Sequence, residues 1–139
     1  MPLTLFHSPM TRSVRHLWLL EEMAVPYELK TMPYDSEYFD SDEYHGIIPM
    51  GKVPALYDGD QLILESTAIM EYLLGRYGPS CLAVPVEDTE HGPYLQWLHM
   101  AESGIAHYLA VVLGNSTNLP KYQVSEEFER YCRYQVEKC

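Results

Sequence analysis

The chain has 139 residues, 47% of them hydrophobic, which is enough for one ordinary domain, or a small domain with part of another, around a packed core. A net charge of −11 repels phosphate backbones and argues against nucleic acid as a partner. No apolar run is long enough to cross a bilayer, and the start, Met1-Pro2-Leu3-Thr4-Leu5, has neither a basic segment nor a leader-like apolar stretch, so no membrane contact and a cytoplasmic location are expected.

Residues 3–7, Leu-Thr-Leu-Phe-His, read as a short strand that Ser8-Pro9-Met10-Thr11 breaks. From about Arg12 to Met23, Val14, Leu17, Trp18, Leu20 and Met23 recur at helical spacing and predict an amphipathic helix with those residues inward. Pro26-Tyr27-Glu28-Leu29-Lys30 reads as a second strand. Strand-helix-strand is the unit that gives parallel pairing. Residues 34–46 are acidic and tyrosine-rich, with a spacing that matches no calcium loop, and are expected to be a solvated loop or short helix.

Pro54-Ala55-Leu56-Tyr57 and Gln61-Leu62-Ile63-Leu64 read as two strands joined by a hairpin turn at Asp58-Gly59-Asp60. Ser66 to about Arg76 reads as a helix with Ile69, Met70, Leu73 and Leu74 on one face, stopped by Gly78-Pro79. The first 79 residues thus form one α/β unit, and the Pro- and Gly-containing stretch 80–87 is a linker. Residues 88–139 are helical. A long helix is expected from Asp88 to Leu113, with Tyr94, Leu98, Ala101, Ile105 and Val112 in a stripe that Trp97, Leu109 and Leu113 widen. Gly114-Asn115-Ser116-Thr117-Asn118 ends it, and Ser125 caps a last helix.

Three cysteines, Cys81, Cys132 and Cys139, are odd in number and form no CxxC, so reduced thiols are expected rather than a disulfide framework or zinc site. His99 and His107 stand eight residues apart, about 12 Å along a helix, too far to share a metal. No metal is expected.

Three places can carry chemistry. Val53-Pro54 puts a residue without an amide hydrogen at a strand start. It is either an ordinary trans proline or a cis one, and a cis bond would present the Val53 backbone to an extended peptide. Glu65-Ser66 opens a helix whose free N–H groups suit a carboxylate, while Glu65 can hold an ammonium; a plain helix cap is the simpler reading. The turn Ser8-Pro9-Met10-Thr11-Arg12-Ser13 joins the first strand to the first helix, at the sheet edge where open α/β folds bind ligands. Its hydroxyls, with Arg12 and Arg15, suit a thiolate, although a helix cap would look the same.

In combination, the β-α-β start, Gly51-Lys52-Val53-Pro54-Ala55-Leu56, Glu65-Ser66-Thr67-Ala68-Ile69, and a long helix from near residue 88 resemble the cytosolic glutathione transferases. Trp18-Leu19-Leu20-Glu21-Glu22 is similar to the first helix of bacterial and fungal members. The resemblance implies a thioredoxin-like domain over 1–79 with a cis Pro54, followed by the start of an all-α domain that continues in other members beyond the point matching Cys139. It implies that Val53 pairs with the cysteinyl part of glutathione, that Glu65 and Ser66 hold the γ-glutamyl end, and that Lys52 lies near a carboxylate. The thiol-activating residue is Ser13, Thr11 or Ser8, depending on whether Arg15 or Ser8-Pro9 anchors the match, because no tyrosine or cysteine stands there. The implied activity is conjugation of glutathione to a small electrophile by a homodimer. A non-catalytic dimerisation or protein-contact module, and a glutathione-dependent isomerase or dehalogenase, are the alternatives. A thiol-disulfide oxidoreductase is disfavoured, because residues 8–15 hold no cysteine.

Overall fold

The structure is a computed structural model that describes residues 2–116 and 124–139. The chain divides into two compact units, Met1–Ala83 and Val84–Cys139.

In the first unit, β1 (Leu3–His7), α1 (Val14–Glu22) and β2 (Tyr27–Thr31) are followed by two short helices, α2 (Ser36–Phe39) and α3 (Asp42–Ile47). Next come β3 (Ala55–Asp58), β4 (Gln61–Leu64) and α4 (Ser66–Tyr77). The strands form one sheet in the order β2-β1-β3-β4. β1 pairs with β2 in parallel, Leu3 opposite Tyr27, and with β3 antiparallel, Leu5 opposite Leu56. β3 and β4 form a hairpin whose Gly59 takes φ +61. A thioredoxin-like domain results.

Alternation along β1 decides what each face of the sheet covers. Leu3 and Leu5 point into a cluster with Leu19 and Leu20 of α1, Leu56, and Ile69 and Leu73 of α4. Phe6 points the other way, into a cluster with Tyr44, Ile48 and Ala55. The acidic stretch after β2 is therefore two capped helices rather than a loop. Asp35 accepts from the Glu37 N–H at 2.9 Å and Ser41 from the Tyr44 N–H at 3.2 Å, while Tyr44 is fully buried.

The inward face of α1 differs from the expected one. Val14 and Trp18 are 53% and 60% exposed, whereas His16, Leu19 and Leu20 are buried. Leu17-Trp18-Leu19-Leu20 is apolar at every position, so periodicity cannot set its phase. A buried histidine, whose Nε2–H donates to the Ser66 carbonyl at 2.8 Å, hides the true face from a hydrophobicity count.

In the second unit, α5 (His91–Met100) runs into a π-helical segment (Ala101–Ala106), then α6 (His107–Ser116); α7 (Glu126–Glu137) follows. The single long helix expected from Asp88 thus starts later and has a wider middle. There the Ser103 hydroxyl takes the His99 carbonyl at 3.0 Å and Gly104 adds no side chain, both of which loosen regular α pairing. The stop expected over Gly114–Asn118 lies partly outside the described residues. Ser125 caps α7 by accepting from the Phe128 N–H at 3.3 Å. Among the described residues no helix is long and apolar enough to cross a membrane.

Candidate functional site

The site belongs to the first unit. Pro54 leads into β3 and Ser66 opens α4, so the antiparallel β3-β4 hairpin, with Ala55 opposite Leu64, carries these residues, far apart along the hairpin, to one end of the sheet. A cleft there is lined by Lys52, Val53, Pro54, Glu65 and Ser66, together with Arg12, Met50 and Leu64. All five residues that the sequence picks for ligand contact are thus brought together. Pro54 and Ser66 are buried, while Lys52 and Glu65 are exposed.

Each element is held from behind. Gly51 takes φ +60, and a Cβ there would come within 2.7 Å of the His45 ring and of the Phe39 carbonyl, so only glycine fits before Lys52. The Tyr44 hydroxyl donates to the Lys52 carbonyl at 3.2 Å. Burial pushes the Tyr44 phenol up to about 12, so it stays a donor across the ordinary pH range. The Val53–Pro54 peptide bond is cis.

Glu65 is the N-cap of α4 and takes φ 72, ψ 126, a region that non-glycine residues rarely occupy. The first turn of α4 has no side-chain cap, and its first intrahelical bond runs from the Ile69 N–H to the Glu65 carbonyl at 2.9 Å. The N–H groups of Ser66, Thr67 and Ala68 have no acceptor within the helix, as at any helix start, and add partial positive charge beside the Ser66 hydroxyl. Arg12, Lys52 and Glu65 all line the cleft and give it two cations and one anion. That pattern suits a zwitterionic ligand with more than one carboxylate.

The turn before α1 is less open than the sequence suggests. Ser8 and Ser13 are fully buried, whereas Thr11 is half-buried and adjoins Arg12 of the cleft. The Ser13 hydroxyl sits at the centre of a network. It receives the Ser8 N–H at 3.1 Å and lies 2.8 Å from His7 Nδ1 and 2.6 Å from Thr11 Oγ1. The Thr11 hydroxyl also lies 2.7 Å from the Ser8 carbonyl. The Ser8 hydroxyl is buried without a hydrogen-bond partner among the described residues.

Sequence reasoning missed several contributors. Arg12 registers there only as positive potential, and Met50 and Leu64 not at all. Tyr44, Gly51 and His7 act through contacts six to twelve residues away along the chain, across turns whose shape the local pattern does not specify. Only Gly51, next to Lys52-Val53-Pro54, carried a signal that could have been used. Among the described residues no group of His, Cys, Asp or Glu is placed to hold a metal, and Cys81, Cys132 and Cys139 are free thiols.

The family model of the glutathione S-transferase N-terminal domain matches residues 1–75. Glutathione S-transferase 3 of Schizosaccharomyces pombe is 34% identical over 120 residues, which is 84% of this chain and 49% of that protein. A glutathione S-transferase structure from Actinobacillus pleuropneumoniae superposes with a TM-score of 0.74 at 28% identity, covering 98% of this chain and 61% of that one. A glutathione transferase of Phanerochaete chrysosporium, in complex with oxidized glutathione, gives a TM-score of 0.80 at 24% identity over 99% and 64% of the two chains, a likeness of fold alone. The chain spans about half the length of the curated relatives it matches.

Proposed function

This chain belongs to the glutathione S-transferase family, and on that premise we propose that its first unit binds glutathione and stabilises the thiolate for attack on a small electrophile. One observation carries the reading: Lys52, Val53, Glu65 and Ser66 line a single cleft with Arg12. The α4 N-terminus and the Ser66 hydroxyl receive the γ-glutamyl carboxylate, and Glu65 takes the neighbouring ammonium. Lys52 and Arg12 face the glycyl carboxylate. The backbone of Val53 pairs with the cysteinyl residue, as one strand pairs with another.

Of Ser13, Thr11 and Ser8, Thr11 is the residue we assign to the sulfur. It is half-buried and beside Arg12, whereas the other two hydroxyls are sealed inside. The thiol loses its proton to water, and the Thr11 hydroxyl donates a hydrogen bond to the sulfur anion. A thiol with an ordinary pKa near 8.5 is mostly protonated at neutral pH, and each unit of depression is worth about 1.4 kcal/mol. The thiolate attacks an electrophilic carbon, a C–S bond forms and the leaving group departs with its electron pair.

The test is calorimetric titration with glutathione, followed by turnover of an aryl halide. Saturable binding and halide release support the reading, and a folded chain that fails to bind sinks it. The burial of two of the three candidate hydroxyls favours a second reading, a module that binds glutathione without turning it over. Binding without halide release would select that one.

A further inference from the structure

Thr11 has one hydroxyl proton and, in the proposed role, must aim it at sulfur. That role constrains every other hydroxyl and ring proton in the turn. Ser13 Oγ is approached by the Ser8 N–H at 3.1 Å, His7 Nδ1 at 2.8 Å and Thr11 Oγ1 at 2.6 Å. The Ser8 carbonyl, farther off at 3.2 Å, is a weaker target for the Ser13 proton. A serine hydroxyl has one proton and two lone pairs. The Ser8 N–H can only donate, so one lone pair is already used.

Two arrangements remain. If His7 carries its proton on Nε2, then Nδ1 is an acceptor and takes the Ser13 proton. The 2.6 Å contact between Ser13 and Thr11 then holds a proton only if Thr11 supplies it. Turning Thr11 toward sulfur would leave two oxygens facing each other, lone pair against lone pair. If His7 instead carries its proton on Nδ1, it donates to Ser13 Oγ and fills the second lone pair. Ser13 then donates to Thr11 Oγ1, which also receives the Ser13 N–H at 3.3 Å. Thr11 keeps its own proton unspent within this pair. It rests on the Ser8 carbonyl, 2.7 Å away, and is free to leave for an arriving sulfur.

We infer that His7 is a positioning residue whose Nδ1–H, acting through Ser13, sets the direction of the hydroxyl chain and releases the Thr11 proton for the glutathione sulfur. The inference rests on the assignment of Thr11 above and adds a residue from the end of β1 that no motif marks. His7 is only 8% exposed. Burial also holds its pKa below the ordinary histidine value, which keeps the ring neutral and makes the choice of tautomer meaningful.

The first experiment needs no variant and no ligand. Long-range ¹H–¹⁵N correlation of the His7 ring in the full chain reads the tautomer directly. Nδ1–H is expected, and Nε2–H overturns the inference. The second experiment titrates the thiol of bound glutathione by its thiolate absorbance in His7→Phe, His7→Asn and Thr11→Ala. In His7→Phe, the thiolate fraction at fixed pH and kcat are expected to fall about five- to tenfold, the worth of one hydrogen bond, with glutathione affinity unchanged. His7→Asn, which can place an amide N–H near Nδ1, is expected to restore most of the thiolate. An unchanged thiol pKa in His7→Phe, with a raised one in Thr11→Ala, overturns the role of His7 alone. An unchanged pKa in Thr11→Ala, or no binding of glutathione by the wild-type chain, overturns the Thr11 assignment and the inference together.

Discussion

The two units differ in how they bury what their patterning asks them to bury. Among the described residues of Met1–Ala83, eleven hydrophobic ones are buried, including Leu5, Leu20, Leu56 and Ile69 at 0% exposure. In Val84–Cys139, Cys132 is the only buried hydrophobic residue among the described ones, and Trp97, Leu113 and Tyr134 are more than half exposed. The stripe on α5 and α6 has the period its sequence implies, yet Tyr94, Leu98 and Ile105 reach only intermediate burial. A sheet has two faces, and when helices cover both, a short chain closes a core on itself. A few helices side by side leave outward faces uncovered. Apolar periodicity therefore states a demand for burial, and only the layers around an element decide whether it is met.

Core truncation gives the largest test of this contrast. Leu20→Ala in the first unit should lower the free energy of unfolding by about 2–5 kcal/mol, against less than about 1 kcal/mol for the half-exposed Leu113→Ala, measured by denaturant titration. Equal losses would break the comparison.

Function should divide the same way. Glu65→Gln, which keeps the shape but loses the charge, should weaken glutathione binding by about 1.5–3 kcal/mol in calorimetry, the range for a charged hydrogen bond. Glu137→Gln in the second unit should leave binding alone. Comparable losses from both would place the binding determinants outside the cleft of the first unit.

A smaller, pH-dependent effect should come from Asp58 at the hairpin. Its carboxylate accepts from the Tyr72 and Tyr77 hydroxyls at 2.6 and 2.7 Å, tying α4 to the end of β3. The Tyr72 bond, then the Tyr77 bond, hold the Asp58 pKa below its ordinary 3.8. Between that lowered value and 3.8 the unfolded chain binds more protons, so this stabilisation is present above 3.8 and is lost as pH falls through the folded value. The bond to Asp58, then burial, raise Tyr77 from 10.0 to about 12. Its stabilisation is present below 10.0 and is lost as pH rises towards about 12. Asp58→Asn should flatten the acid limb of the stability profile in thermal melts. An unchanged limb would show that the contact adds nothing.

The smallest effect is expected at the cap of α7. Ser125→Ala removes the bond to the Phe128 N–H and should cost about 0.5–1 kcal/mol, seen as faster amide exchange in the first turn of α7. A much larger loss would mean that the second unit is more cooperative than its exposure suggests.

Much of the fold was legible locally. Leu3–His7 was readable because a strand announces itself by composition and by the breaking turn after it. Ser66–Tyr77 was readable because its apolar face is clean and Gly78-Pro79 ends it. Where patterning was ambiguous, as along Leu17-Trp18-Leu19-Leu20, the inward side could not be phased, and the buried His16 misled the count. The π-helical segment at Ala101–Ala106 was illegible because the features that accompany it, the Ser103 hydroxyl donating to the His99 carbonyl and Gly104, are also compatible with an ordinary α-helix.

The candidate site divides along the same line. Val53-Pro54 and Glu65-Ser66 stood out in the sequence as short-range devices, a proline at a strand start and an acid and a hydroxyl at a helix start. Taken singly each had a plainer reading, and only their combination, through the family resemblance, marked them and Lys52 as ligand contacts. Tertiary structure alone decided that they share one cleft with Arg12. It also decided that Ser13 and Ser8 are sealed while Thr11 is half-open, and that His7 stands against Ser13. Those facts depend on how β1, the hairpin and α4 pack, and the burial of a hydroxyl is a property of what surrounds it rather than of its neighbours along the chain.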